Sequence, residues 1–256
     1  MLLLFDIDGT LVSGATEAHR EAIRAALAAV HSVDIERAGR RAPSPAGRTD
    51  PEIARMILLD AGISAERIDD RADAVREACC KAYARLCPRD LSKFVLPGVV
   101  KLLGWLSGRT DAMLGLLTGN YEAVARLKLA RAGIGSYFPS GQGGFGSDDE
   151  DRAALPRIAR RRAGTLGRPH PRQQTIVIGD TPRDIACARA DGVGCVAIAT
   201  GPFDAAELRG ADAVVNDAGE LRSALAAELD QRSYRELSPS GRGTACASSG
   251  PRAGPG

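Results

Sequence analysis

The chain has 256 residues, 34 basic and 32 acidic, for a net charge of +2; 44% of its residues are hydrophobic and only 4% aromatic. This length suits one large domain or a domain carrying an insertion, and the apolar content excludes a chain disordered throughout. Near-balanced charge gives no case for nucleic acid, and no run reaches the ~18 apolar residues of a membrane span.

The first element is a short apolar run, Met1 to Phe5, ending in Asp6-Ile7-Asp8-Gly9-Thr10. A run of this length bounded by a turn signal reads as a buried strand. Residues two apart on a strand share a face, so Asp6 and Asp8 can converge at one sheet edge. Such a pair needs a cation or a shared proton to offset its repulsion. It suits a divalent metal, or a nucleophile beside an acid/base. The plainer alternative is a strand end followed by a turn.

Helical spacing follows over Glu17–Val30, then a Pro43–Gly47 loop. A helix is expected from Asp50, as its cap, with Pro51 in the first turn, to about Asp60, and another over Ser64–Leu86. No strand pattern interrupts residues 15–90, and this is more helix than a single crossover needs.

From Leu96 strands and helices alternate. Helices are expected at Gly98–Leu106, Tyr121–Ala132, Asp151–Ala163, Arg183–Ala190 and Glu220–Leu229. Strands are expected at Ala112–Leu117, weakly at Gln142–Gly146, and at Thr175–Ile178, Gly194–Ala199 and Ala213–Val215. Alternation of this kind gives an α/β fold with a parallel sheet and helices on both faces. Ser, Gly, Pro and Arg dominate from Ser238 onward, which reads as a disordered tail. Two of the expected strands end in polar residues, Thr118-Gly119-Asn120 and Gly179-Asp180-Thr181-Pro182-Arg183-Asp184. The carboxyl edge of an open parallel sheet is where ligands bind.

Six cysteines show no Cys-x-x-Cys spacing, and the three histidines lie apart, so structural zinc is not expected. The opening apolar run is too short for a signal-peptide core. A cytoplasmic protein with reduced thiols is therefore the expectation. Arg160-Arg161-Arg162 reads as a solvated helix face.

Three motifs in order, Asp6-Ile7-Asp8-Gly9-Thr10-Leu11-Val12, Leu117-Thr118-Gly119-Asn120 and Gly179–Asp184, resemble the haloacid dehalogenase-like hydrolase superfamily. Within it the chain is most similar to the phosphoglycolate phosphatase-like and phosphoglucomutase-like group. The resemblance implies a Rossmann-like core, residues 1–13 and 95–230, a small helical cap over residues 14–94, and a tail over 231–256. It implies a magnesium-dependent phosphatase acting on a small phosphorylated metabolite, with Asp6 as nucleophile and Asp8 as acid/base. Asp6, the Asp8 carbonyl, Asp180 and Asp184 would hold Mg2+, Asp184 directly or through water.

Thr118 and the N–H groups of Gly119 and Asn120 would meet the phosphate. The family's Lys-Pro ahead of the third motif is missing, because the comparable stretch is Asp148-Asp149-Glu150-Asp151-Arg152. Lys128 is preferred as the basic phosphate partner, for its flexible ammonium, with Arg152 as the other candidate. Arg48 and Thr49 are candidates for substrate contact from the cap. Asp8 is the acid that dehalogenases of the superfamily lack. A sugar-phosphate mutase and a silent binding protein of the same fold stay open, and nothing indicates the oligomeric state.

Overall fold

The computed structural model describes residues 1–34 and 44–237, with side chains through Asp230. Six strands form one parallel sheet: β1 Leu2–Phe5, β2 Met113–Thr118, β3 Gly144–Phe145, β4 Thr175–Gly179, β5 Gly194–Ile198 and β6 Ala213–Val215. Their order is β3-β2-β1-β4-β5-β6. The chain therefore builds outward from β1 in both directions, and the crevice beside β1 is a topological switch point.

Burial on both faces explains the unbroken apolar runs. Leu3 and Phe5 enter one hydrophobic cluster, and Leu2 and Leu4 enter the cluster on the opposite face. The first cluster lies under α5 (Val99–Ser107), α6 (Glu122–Arg131) and α9 (Ala218–Leu237). The second lies under α7 (Leu155–Arg162) and α8 (Pro182–Asp191).

Among the described residues four helices stand between β1 and α5: α1 Glu17–His31, α2 Asp50–Asp60, α3 Ala65–Asp70 and α4 Ala72–Leu86. The chain leaves and re-enters the core side by side. Ser13 N–H donates to the Phe94 carbonyl (2.8 Å) and Leu96 N–H to that of Leu11 (3.0 Å). α1 packs along α4, and α4 touches α6. The loop into α2 also binds the core, with Asp50 N–H on the Gly119 carbonyl at 2.8 Å.

Some local expectations change. The single helix expected over 64–86 breaks at Arg71 into α3 and α4. α9 continues past the expected end at Leu229 to Leu237, because no Gly or Pro interrupts the chain before Pro239. The tail from Ser238 and Pro43 of the expected loop lie outside the described residues. Arg160 does not join a solvated face: it is buried and pairs in a fork with Asp191 of α8, at 2.6 and 2.9 Å.

Candidate active site

Asp6 follows β1 directly. Its N–H bonds to the Ile178 carbonyl of β4 (2.8 Å), so the chain stays in the sheet for one more residue. The turn then tightens, with Leu11 and Val12 N–H both donating to the Ile7 carbonyl and Gly9 N–H to that of Val12. Gly9 is required here. Its φ is +87°, and a Cβ would stand 2.1 Å from an Asp180 carboxylate oxygen.

Asp180 comes from the end of β4 and Asp184 from the first turn of α8. Asp6, Asp180 and Asp184 are all buried, with one carboxylate oxygen each within 4.8 Å of the others. Thr10 Oγ1 donates to Asp180 at 3.0 Å. Asp184 is held by a capping box, its Oδ2 accepting from Thr181 N–H (3.0 Å) and Oγ1 (2.7 Å).

Ionisation is disfavoured at two of these acids, Asp6 and Asp180. Burial, as the main cause, pushes Asp6 up to about 7; Arg152 opposes it, while Asp184 and Asp8 reinforce it. Burial, then Asp6 and Asp184, push Asp180 up to about 8. An all-oxygen donor set whose charges repel one another fits a hard divalent cation such as Mg2+.

The basic residues separate clearly. Lys128, on α6 and wholly buried, donates to both oxygens of Asp8 (2.8 and 2.7 Å) and to Asn120 Oδ1 (2.9 Å). An ammonium has three N–H donors, so all three are committed. Burial works against an ionised Asp8, but Lys128, His19 and the Asn120 amide outweigh it and hold its carboxyl below the usual range.

Lys128 thus grips Asp8, whereas the sequence places it on the phosphate. Arg152, in a 3-10 turn before α7, lies 3.4 Å from Asp6 and 2.5 Å from Asp184. Burial disfavours its charge, yet Asp184 and Asp6 keep its pKa well above the ordinary value. Its buried Nε has no hydrogen-bond partner among the described residues.

After β2, Thr118 Oγ1 accepts from Asn120 N–H (3.3 Å) and from its side-chain amide (3.1 Å), which also reaches Asp8 (3.1 Å). Asn120 therefore links Thr118 to Asp8. Gly119 permits a close approach, since a Cβ there would stand 2.0 Å from the Arg48 carbonyl oxygen.

The loop from the helical insertion departs from expectation. Thr49, not Asp50, caps α2, accepting Glu52 N–H at 3.2 Å. Thr49 Oγ1 donates to the Glu150 carbonyl at 2.7 Å and is fully buried. It fastens the loop to the core and does not line the site cavity. Asp50 instead takes Tyr121 N–H at the start of α6 (2.7 Å) and meets His19 Nε2 (3.0 Å). A helix start rich in unpaired N–H groups attracts a carboxylate, and the one it finds is 71 residues away. Arg48 does line the cavity, with its guanidinium on Glu52 and the Ser44 carbonyl.

The cavity occupies about 810 Å³ above the carboxylates, between the sheet edge and helices α1 and α2. His19 lines it, a residue that its isolated position in sequence gave no reason to single out. The pairing of His19 with Asp50 depends on two helices meeting, for which the sequence holds no local signal.

A family model of the haloacid dehalogenase-like hydrolases matches residues 1–192. The chain is 30% identical over 212 residues to a phosphoglycolate phosphatase of Pseudomonas fluorescens strain Pf0-1, covering 78% of this chain and 70% of the relative. It is 30% identical over 202 residues to a phosphoglycolate phosphatase of Rhodospirillum rubrum, covering 78% and 79%. Its fold is similar to that of a predicted phosphatase from Clostridium acetobutylicum (TM-score 0.64, 18% identity, 88% and 98% covered). It is also similar to that of a β-phosphoglucomutase from Clostridium difficile (TM-score 0.62, 18% identity, 91% and 99% covered). With the matched family model spanning most of the chain and its three motifs joined at one sheet edge, the chain belongs to the haloacid dehalogenase-like hydrolase family, as a hydrolase of the phosphatase kind.

Proposed function

We propose that the protein is a magnesium-dependent phosphatase that hydrolyses a small phosphate monoester through an aspartyl-phosphate at Asp6. The observation that carries this reading is the buried cluster of Asp6, Asp180 and Asp184 with Asp8 two residues from Asp6. Asp6, Asp180, Asp184 and the Asp8 carbonyl would hold the cation. When bound, Mg2+ neutralises the carboxylates and the phosphate, so that like charges can approach.

In the first step a carboxylate oxygen of Asp6 attacks phosphorus and the bond to the ester oxygen breaks. Asp8 protonates the leaving oxygen. Lys128 keeps Asp8 ionised in the free site, and the arrival of a phosphate dianion beside it favours proton uptake, as a like charge does. In the second step Asp8 takes a proton from water as the water oxygen attacks phosphorus, which releases phosphate and restores Asp6. Thr118 and the Gly119 backbone orient the phosphate, and Arg152 balances its charge.

Residues 14–94 act as a cap that covers the reacting phosphorus, joined to the core at the paired segments near Ser13 and Phe94. Among the described residues no helix is long and apolar enough to cross a membrane.

The reading is tested by phosphate release from p-nitrophenyl phosphate with and without Mg2+. Mg2+-dependent release supports it, and none from folded protein overturns it. Sugar-phosphate isomerisation faster than phosphate release would point to a mutase instead.

A second expected result concerns the cation. The folded-state values of Asp6 and Asp180, about 7 and about 8, lie above the ordinary 3.8. The unfolded chain thus gives up its protons first. Metal-free stability therefore falls as pH rises from the ordinary 3.8 up to about 7–8, and levels off above that. Since Mg2+ binds the ionised carboxylates, its gain in Tm should be larger at pH 8 than at pH 6. Asp180→Asn should remove most of it. Equal gains at both pH values, measured by thermal shift, would refute the metal assignment.

The two cations can be told apart by leaving group. Arg152→Ala should slow p-nitrophenyl phosphate and an alkyl phosphate alike, because it acts on the phosphate. Lys128→Ala should slow the alkyl phosphate at least about tenfold more, since only a poor leaving group needs the acid that Lys128 positions. The reverse pattern in steady-state kinetics would return the phosphate role to Lys128.

A further inference from the structure

The helical wall of the cavity, contributed by α1 and α2, carries an apolar stripe among polar side chains. Ile53, Met56 and Ile57 all line it, and their spacing of three and four residues puts them on one face of α2. Ile23 of α1 and Val12 of the entry segment continue the same wall. α2 packs into the protein mainly through Ala54 and Leu58, both buried, with Ile53 and Ile57 partly buried against the same core. Ile53, Met56 and Ile57 are left only half-buried. An apolar stripe facing water is costly at about 25 cal/mol per Å², and this one shares a cavity with Asp6, Asp8 and Thr118.

Arg20, Arg24 and Arg48 line the same space from the helical insertion, and Arg20 and Arg48 are committed to acids of the chain. Arg20 pairs with Glu17 at 2.5 Å and Arg48 pairs with Glu52. Away from these arginines, the part of the cavity next to α2 offers a ligand isoleucine and methionine side chains. The volume of about 810 Å³ is of the size that encloses drug-sized molecules, about 300–1,000 Å³, and far exceeds what a two-carbon acid phosphate fills.

We propose that the physiological substrate is a phosphate monoester with an apolar alcohol part, a medium-length alkyl or aryl group seated on Ile23, Ile53, Met56 and Ile57. The proposal rests on the phosphatase reading above and names the substrate class of that site. The phosphate lies at the sheet edge and the apolar group reaches up against α2. Burying it there raises affinity without touching the reacting atoms.

The test is a series of ethyl, butyl and hexyl phosphate, which share a primary-alcohol leaving group and so the same chemistry. kcat/KM should rise along the series, by up to about fourfold per methylene if each is fully buried. Hexyl phosphate should also exceed phosphoglycolate. Met56→Gln and Ile53→Thr, each checked for folding by circular dichroism, should flatten the series. Calorimetric binding of hexylphosphonate and ethylphosphonate gives the same comparison without turnover, with the hexyl compound expected to bind more tightly. A flat kinetic series, or phosphoglycolate preferred over every alkyl ester, would overturn the inference and leave the phosphatase reading standing. Hydrolysis of no ester would overturn that reading, and the inference would then be decided by the phosphonates: equal binding of the two defeats it.

Discussion

Asp6→Asn should lower phosphate release by a factor on the order of 10⁴–10⁶, the scale on which loss of one member of a concerted catalytic set acts. The substitution keeps the shape of the side chain and its place after β1, and it removes the nucleophilic oxygen's charge. It also removes one of three mutually repelling buried carboxylates. Burial and its neighbours push Asp6 up to about 7, so neutralising it relieves strain in the metal-free state. The variant should therefore be at least as stable as the parent without Mg2+ at pH 8, while being inactive. That opposition of stability and activity is the signature sought. Steady-state phosphate release and a thermal melt on the same preparation measure both. Substantial residual turnover by folded Asp6→Asn would remove Asp6 from the nucleophile's role.

Asp8→Asn should leave a phospho-enzyme that forms from p-nitrophenyl phosphate and breaks down slowly. Turnover of an alkyl phosphate should drop by about 10²–10⁴, the usual contribution of general acid–base catalysis. The structure adds a second consequence. Lys128 is fully buried and spends two of its hydrogen bonds on Asp8. Asparagine retains one acceptor oxygen and no charge, so the ammonium is left without its counter-ion. Breaking a buried pair by removing one partner costs about 3–5 kcal/mol; because the Asp8 side chain is 26% exposed, solvent screening should keep the loss below that range. Asp8→Asn combined with Lys128→Met should recover stability but not activity. Denaturation curves of the two variants decide this, and equal stability would mean that the pair contributes little to the fold. Wild-type turnover of the alkyl phosphate by Asp8→Asn would defeat the acid/base assignment.

What could be read from the sequence was what short-range patterns carry. The apolar runs of β1, β2 and β4 are buried on both sheet faces, and continuous hydrophobicity is the mark of such strands. The polar residues that follow them are local too. A parallel sheet brings all strand ends to one edge, so Asp6, Asp8, Thr118 and Asp180 converge by topology alone, without any knowledge of side-chain geometry. Most helices were likewise legible, many ends shifting by a residue or two where the strength of the terminal hydrogen bonds, not pattern, sets the boundary, but α9 runs on to Leu237 and the helix expected over 64–86 divides at Arg71.

The tertiary structure decided which group each charged side chain meets. Lys128 and Arg152 are equivalent as sequence positions, each a single cation near a motif. Only the direction in which α6 and the turn before α7 leave the sheet puts Lys128 on Asp8 and Arg152 on Asp6 and Asp184. Asp50 had the local chemistry of a helix cap and serves a different helix, because the insertion folds back until its carboxylate reaches Tyr121. Thr49 was within reach of a substrate by sequence position, yet it is spent on the Glu150 carbonyl. The apolar face of α2 is the clearest case. Ile53 and Ile57 pack partly against the core, and the placement of α1 and α2 above the sheet edge also brings them, with Met56, to the cavity that holds the carboxylates. Hydrophobic spacing records which residues share a face; what that face meets depends on contacts between residues far apart in the chain, which no local pattern encodes.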